Sequence, residues 1–371
     1  MRVAPVNEGD VLPSRAGPRR TGRARPPRRD REVCSVASAK KQVRRAVQSA
    51  IARIVVGLLT PLPSPLARRV GRALGRLGWW LSPLSRKRTR EHLLLSFGET
   101  RSPAEIERIA RANLPTLGEP VAEAAGIAAR GIPETLRVDP IEGYEAFASA
   151  VTEARESGAG LIGCGGHFGC WELTAALFSH AAEGDALCVA RRYEVEGYQS
   201  VIEGLRRRLG VRVIYQEDSL RPIVRHLRQG GVLGLLPDQD FKNLQDGIFV
   251  DFLGRPAYTT TTPAQLALRT GAKLLVATVH RQDGHLRLEM SPVRDPEEFR
   301  GEVDPVRAIT EWWSQTLDAR IRAAPEQWVW LHRRWRTTPD RLIYRSYRRK
   351  EREEKRQRLA GKDLTKSGES D

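Results

Sequence analysis

Residues 161–172 read LIGCGGHFGCWE. The apolar run at 160–164 has the length and composition of a short strand, glycines at 163, 165 and 166 supply a turn, and a helix is expected over 171–182. In an open α/β sheet ligands bind beyond the carboxyl ends of the strands. His167 therefore falls where chemistry is expected, on a backbone that the glycines allow to turn sharply and to approach a ligand closely. Two residues five apart on one regular helix project about 140° from each other. His167 and Glu172 can meet only if the histidine lies in the turn and the glutamate in the first turn of the helix. On that reading His167 is a general base supported by Glu172, taking a proton from a hydroxyl that attacks an activated acyl group. The amides at the start of the following helix are expected to face the developing oxyanion. The same residues admit other readings: a zinc site from Cys164, His167 and Cys170 with His180 and Cys188 nearby, although the spacing is not a paired zinc pattern; Cys170 as a nucleophile beside His167; or His167 as a capping residue in a core turn.

Working outward, strand-like and helix-like segments alternate. Strands are expected at 186–190, 211–215, 232–236, 273–280 and 286–290, and helices at 197–209, 219–229, 262–270 and 304–323. This alternation predicts an α/β fold with a mixed, largely parallel central sheet flanked by helices. Upstream, residues 102–130 read as helical and open on a Ser102–Glu105 capping box.

Charge divides the chain. Residues 1–100 carry 22 basic and 6 acidic side chains, residues 101–340 carry 29 and 33, and residues 341–371 carry 11 and 6. Basic ends around a near-neutral body do not describe a nucleic-acid-binding fold, in which the phosphate-contacting charge lies on the folded surface. They suit an anionic membrane surface or an acidic carrier protein. Four cysteines suggest a reducing compartment, no apolar run reaches 18 residues, and no signal-peptide core follows the start, so export is not expected.

Four regions follow: a disordered basic tail at 1–40, a membrane-associating helical segment at 41–100, a catalytic domain at 101–340 and a basic tail at 341–371. Within the second, an apolar helix is broken by Pro61 and Pro63. A further helix then carries Leu66, Val70, Ala73, Leu74, Leu77 and Leu81 at helical spacing, with Arg68, Arg69, Arg72 and Arg76 mostly elsewhere on the wheel and Trp79 and Trp80 near its end. Basic residues, an apolar stripe and tryptophans describe a helix lying in the headgroup region, and residues 41–90 are the expected monotopic anchor. The plainer alternative is an amphipathic helix packed on the domain.

GCGGHFGCWE resembles the His-x4-Glu block of the bacterial lipid A late acyltransferases, the lauroyl and myristoyl transferase family. Other blocks match in order: ARRY at 190–193, GGVLGLLPDQD at 230–240, DFLGRPAYTTTTPAQLALRTGA at 251–272, His280–Arg281, and PEQWVWLHRRW at 325–335. The likeness runs from about residue 55 to 336. It implies a glycerolipid-acyltransferase-like fold, and transfer of a fatty acyl chain from acyl carrier protein or acyl-coenzyme A to a hydroxyl of a membrane glycolipid, most simply a lipid A precursor. The place is the cytoplasmic face of the inner membrane, and no cofactor or metal is implied. Carried over, His167 and Glu172 are catalytic, and Arg191, Asp238, Gln239 and Arg281 bind substrate. Arg333 and Arg334 read as surface ion-pair residues, and Trp328, Trp330 and Trp335 as core or interfacial aromatics. Cys170 stands where the family has Asn, Val195 replaces an Asn, and the first 45 residues have no counterpart. A related branch acylates phosphatidylinositol mannosides, which is a second reading. Transfer to an amine, and a non-catalytic lipid-binding protein of the same fold, are further alternatives.

Overall fold

The computed structural model describes residues 43, 45–47, 49–50, 52–193, 196–218, 220–240 and 247–340. The tails expected at 1–40 and 341–371, and the departure at Val195, lie outside them. A six-stranded sheet has the order β3 (Arg212–Tyr215), β2 (Ala186–Ala190), β4 (Val232–Leu235), β1 (Leu161–Cys164), β7 (Lys273–Gln282) and β8 (His285–Met290). Every pairing is parallel except β7 with β8. Strand β1 lies at the centre and is buried along its whole length. Leu161 faces a core built around Phe147 and Phe178, while Ile162 and Cys164 face a second core around Trp313. That alternation is the two-residue period of a strand covered on both sides.

The helices fall close to the expected positions, at Trp171–Ala181, Glu196–Arg208, Arg221–Arg228, Thr262–Thr270 and Pro305–Ala323. Pro103–Arg130 is one continuous helix that holds Pro115 and Pro120 internally and starts on the expected capping box. A separate hairpin of β5 (Gly247–Phe252) and β6 (Arg255–Thr260) was not legible as strands. Its two-residue turn puts Leu253 and Gly254 at φ 55° and 78°, the left-handed pair that normally calls for Asn-Gly. Leu253 accepts that conformation because its N–H donates to Asp318 Oδ2 at 2.7 Å and its side chain is fully buried among tryptophans.

Arg334 corrects the surface reading given to it. It is fully buried, donates to the Tyr258 carbonyl at 2.7 Å and to Thr259 Oγ1, and lies over the Phe252 ring, fastening the C-terminal segment to the hairpin. Burial lowers its pKa to about 10, with Asp238 and Asp240 opposing. Arg333 is exposed. Trp328 and Trp330 are core residues, packed edge to face at 4.7 Å.

The helix Ser64–Leu81 is amphipathic in an unexpected way. Ala67, Gly71, Gly75 and Gly78 make a stripe of small residues, and the helix packs through Ala67 and Gly71 on the long helix around Gly118 and Ala122. A Cβ on Gly71 would stand 2.2 Å from the Gly118 carbonyl oxygen, so the two backbones touch. The leucine stripe is left outside: Leu66, Leu74, Leu77 and Leu81 are exposed, as are Ile54, Leu58 and Leu84. The tryptophans part company. Trp79 is buried, with the Arg90 guanidinium 5.3 Å from its ring, whereas Trp80 is 75% exposed. No helix among the described residues is long and apolar enough to cross a membrane.

Candidate active site

Strands β1 and β4 are parallel neighbours, with Cys164 opposite Leu235. His167 and Asp238 each lie three residues beyond those partners, so the sheet register carries both to the same place above the carboxyl edge. Asp238 Oδ1 lies 2.7 Å from His167 Nδ1. Its Oδ2 accepts from the His167 backbone N–H at 2.8 Å and from Trp328 Nε1 at 2.9 Å. The carboxylate is 1% exposed. Burial alone would raise its pKa, but the His167 charge and the hydrogen bonds from His167 and Trp328 outweigh that and hold it well below the usual carboxylate range. An ionised Asp238 fixes the proton of His167 on Nδ1 and leaves Nε2 as the free base. That nitrogen has no hydrogen-bond partner among the described residues, and the side chain is 24% exposed.

The expected pairing of His167 with Glu172 is not formed. Glu172 does sit in the first turn of the helix that follows the histidine turn. Its carboxylate, however, takes two hydrogen bonds from Arg206, at 2.9 Å from Nε and 2.7 Å from Nη2. A bidentate guanidinium satisfies both carboxylate oxygens, and Asp238 already occupies Nδ1. The glycine expectation also shifts. Among the glycines of this turn only Gly169 has a left-handed φ, 56°, and a Cβ there would meet the Val279 carbonyl oxygen at 2.3 Å. Gly163 instead leaves room for the Phe178 ring.

The turn is stitched down by its own amides. Gly165 donates to Leu235, Gly169 to Gln327 and Cys170 to Val279, while the His167 carbonyl accepts from Val329. With the His167 amide on Asp238, four amides of the turn are engaged, and the amides that start the following helix, Trp171–Ala181, come after them. Cys170 is buried, and burial pushes its thiol up to about 12, so it stays protonated and is a poor nucleophile. No group of three His, Cys, Asp or Glu side chains is placed to hold a metal among the described residues.

Of the substrate-binding candidates, Arg191 stands exposed just beyond β2. Gln239 Nε2 lies 2.8 Å from His332 Nε2. Arg281 lies within β7, and its Nη2 donates to Glu123 at 2.6 and 2.8 Å. Sequence reasoning missed Trp328, His332, Arg206 and Glu123 as parts of this region. Trp328 and His332 lie inside the quoted PEQWVWLHRRW block, whereas nothing distinguishes Arg206 within its run of three arginines.

The His332 ring is centred 5.2 Å from that of His167. Burial, and then the charge of His167, lower its pKa to about 4. An unfolded histidine takes up its proton near 6.5. Between about 4 and 6.5 the unfolded chain therefore binds more protons, and His332 removes stability as the pH falls through that window. Burial lowers the pKa of His92 and of His280 too. Melting temperature should fall steadily from pH 7 to pH 4.5, and less steeply in His332→Gln. A flat profile in the parent protein would contradict this assignment.

A histidine with one ring nitrogen tied to a buried carboxylate and the other open, at the carboxyl edge of an α/β sheet, is an arrangement able to take up a proton from a bound hydroxyl. The chain belongs to the bacterial lipid A biosynthesis acyltransferase family, whose model matches residues 38–337. Over 263 residues it is 30% identical to the lipid A biosynthesis myristoyltransferase of Escherichia coli, covering 69% of this chain and 77% of that one. Over 123 residues it is 29% identical to the lipid A biosynthesis lauroyltransferase of the same organism, covering 33% of this chain and 39% of that one. It is also 28% identical over 187 residues to a phosphatidylinositol mannoside acyltransferase of Mycobacterium tuberculosis, covering 49% and 56%. The chain thus spans about two-fifths of the lauroyltransferase and about three-quarters of the myristoyltransferase.

Proposed function

We propose that the protein moves a fatty acyl chain from an acyl thioester, on acyl carrier protein or coenzyme A, to a hydroxyl of a membrane glycolipid, with His167 as general base and Asp238 as its partner. The observation that carries this reading is the free Nε2 of a histidine whose Nδ1 is fixed by Asp238. Nε2 removes the proton of the acceptor hydroxyl as its oxygen attacks the thioester carbonyl. The tetrahedral intermediate collapses with loss of the thiolate, which takes the proton back from His167. No covalent enzyme intermediate is needed, in keeping with a buried, protonated Cys170. Glu172 serves as a structural tie to Arg206. Arg191, exposed beside the strand ends, is a contact for polar substrate groups.

The acceptor is a lipid A precursor on this reading, following the relatives named for lipid A. A phosphatidylinositol mannoside is the second reading, favoured by the mycobacterial relative. Contact with a membrane surface is supported by the exposed leucines and Trp80 of residues 54–84, an apolar surface that the protein leaves uncovered, and the cytoplasmic face of the inner membrane is the place proposed for it. Incubating the purified protein with acyl-thioester donors and candidate lipids should release free thiol and give an acylated lipid by mass spectrometry. Lability of the product to hydroxylamine would mark it as an ester rather than an amide. A folded protein that releases no thiol with any donor and acceptor pair would be a lipid-binding member of the fold instead.

A further inference from the structure

A cleft of about 420 Å³ opens on the far side of the Gly169–Cys170 peptide, two residues beyond His167. Its walls are the Ser64–Leu81 helix, the long helix near Glu119, the end of β7 and the Glu326–Gln327 segment. Four arginines line it: Arg68, Arg69 and Arg72 from the first helix, and Arg281 from the strand. Arg68, Arg69 and Arg72 are three of the arginines that the helical wheel placed in the lipid headgroup region.

The acids nearby hold this cluster more than they neutralise it. Glu119 pairs with Arg72, with Oε1 2.6 Å from Nη2, and Glu123 takes Arg281 at 2.6 Å with Arg68 Nε at 3.8 Å. The Glu119 and Glu123 side chains are only 8% and 2% exposed, so they lie behind the guanidiniums. Glu123 serves two arginines with one charge. Glu326 is, with Glu119, one of the two acids of the lining, and its backbone carbonyl is taken by Asn113. Arg69 is exposed and has no partner among the described residues. Four arginines therefore line the cleft with two acids, Glu119 and Glu326, while Glu123 and Asp139 act on Arg281 from outside the lining. Arg68 Nη1 and Arg281 Nη1 donate to the Gly284 carbonyl, which leaves Arg69 and the remaining donors of Arg68 and Arg72 for the tetrahedral oxygens of a phosphate ester.

We propose that this cleft binds a phosphate group carried by one of the two substrates, while the reacting atoms lie at His167 across the Gly169–Cys170 wall. The inference rests on the acyl-transfer reading for the word substrate, but the anion site itself does not. The phosphate belongs either to the headgroup of the acceptor lipid or to the phosphopantetheine arm of the donor.

Inorganic pyrophosphate serves as the probe, with the full chain. It should raise the melting temperature of the parent protein and of Arg76→Glu, which removes the same charge from the same helix outside the cleft lining. It should leave Arg69→Glu unmoved. No shift in the parent, or equal shifts in Arg69→Glu and Arg76→Glu, overturns the site. In steady-state transfer, Arg69→Glu should raise the KM of one substrate about tenfold with kcat little changed, the loss of one charge-assisted contact. Pyrophosphate should compete with that same substrate, which tells headgroup from phosphopantetheine. Unchanged KM values for both substrates overturn the substrate role. Arg69-dependent pyrophosphate binding in a protein that transfers no acyl group would instead keep the site and sink the enzymatic reading.

Discussion

Asp238→Asn should lower acyl transfer about a hundredfold or more, as should His167→Ala, while Glu172→Gln should keep most of the chemical rate. An amide at 238 keeps the shape of the carboxylate but cannot accept from His167 Nδ1, the His167 amide and Trp328 Nε1 with both of its polar atoms. The imidazole then loses both the fixed tautomer and the charge that supports its protonated form. Glu172→Gln acts elsewhere. It removes the carboxylate from an ion pair whose side chains are 19% and 16% exposed, leaving Arg206 without a counter-charge. Breaking such a pair costs about 3 kcal/mol of stability. Single-turnover transfer rates and urea unfolding of the three variants separate the roles. A Glu172→Gln enzyme as inactive as Asp238→Asn, at unchanged stability, would return the catalytic carboxylate to position 172.

The second large effect concerns the seat of the N-terminal helices. Gly118→Ala should destabilise the protein by roughly 3 kcal/mol, because the new Cβ would stand 2.2 Å from the Gly71 carbonyl oxygen and neither backbone can yield without parting the helices. Helix propensity alone argues the other way, since Ala is better than Gly by about 1 kcal/mol inside a helix. The sign therefore reports the contact. Gly78→Ala is the control: it lies on the Ser64–Leu81 helix with nothing within 4 Å of the added Cβ, and it should be neutral or mildly stabilising. Thermal unfolding of both variants decides the matter, and equal melting temperatures would remove the close crossing from the account. The same crossing forms one wall of the arginine-lined cleft, so Gly118→Ala should also weaken pyrophosphate binding there.

Much of this architecture was legible because local rules and burial agreed. The buried run LIGC, the Ser102–Glu105 box and the periodic helices each announced themselves over a few residues, and the set predicted a largely parallel sheet with helices on both faces. The β5–β6 hairpin did not, since a leucine at left-handed φ gives no turn signal and is tolerated only through Asp318 and the tryptophan core. The wheel of the Ser64–Leu81 helix showed two faces, but a wheel cannot say which face meets protein. Small residues took that place because they let two backbones touch, and the leucines were left outside.

By itself the sequence determined that His167 sits in a turn between a short strand and a helix, with a carboxylate close by in the chain. Which carboxylate serves it was decided by the sheet. Parallel pairing of β1 with β4 brings together residues 71 positions apart, because each stands three beyond a paired residue. Glu172, nearer in sequence, is turned to Arg206 by the geometry of its helix and by a cation with two donors to offer. Sequence distance limits which groups can meet locally. Strand register decided which group reached the histidine.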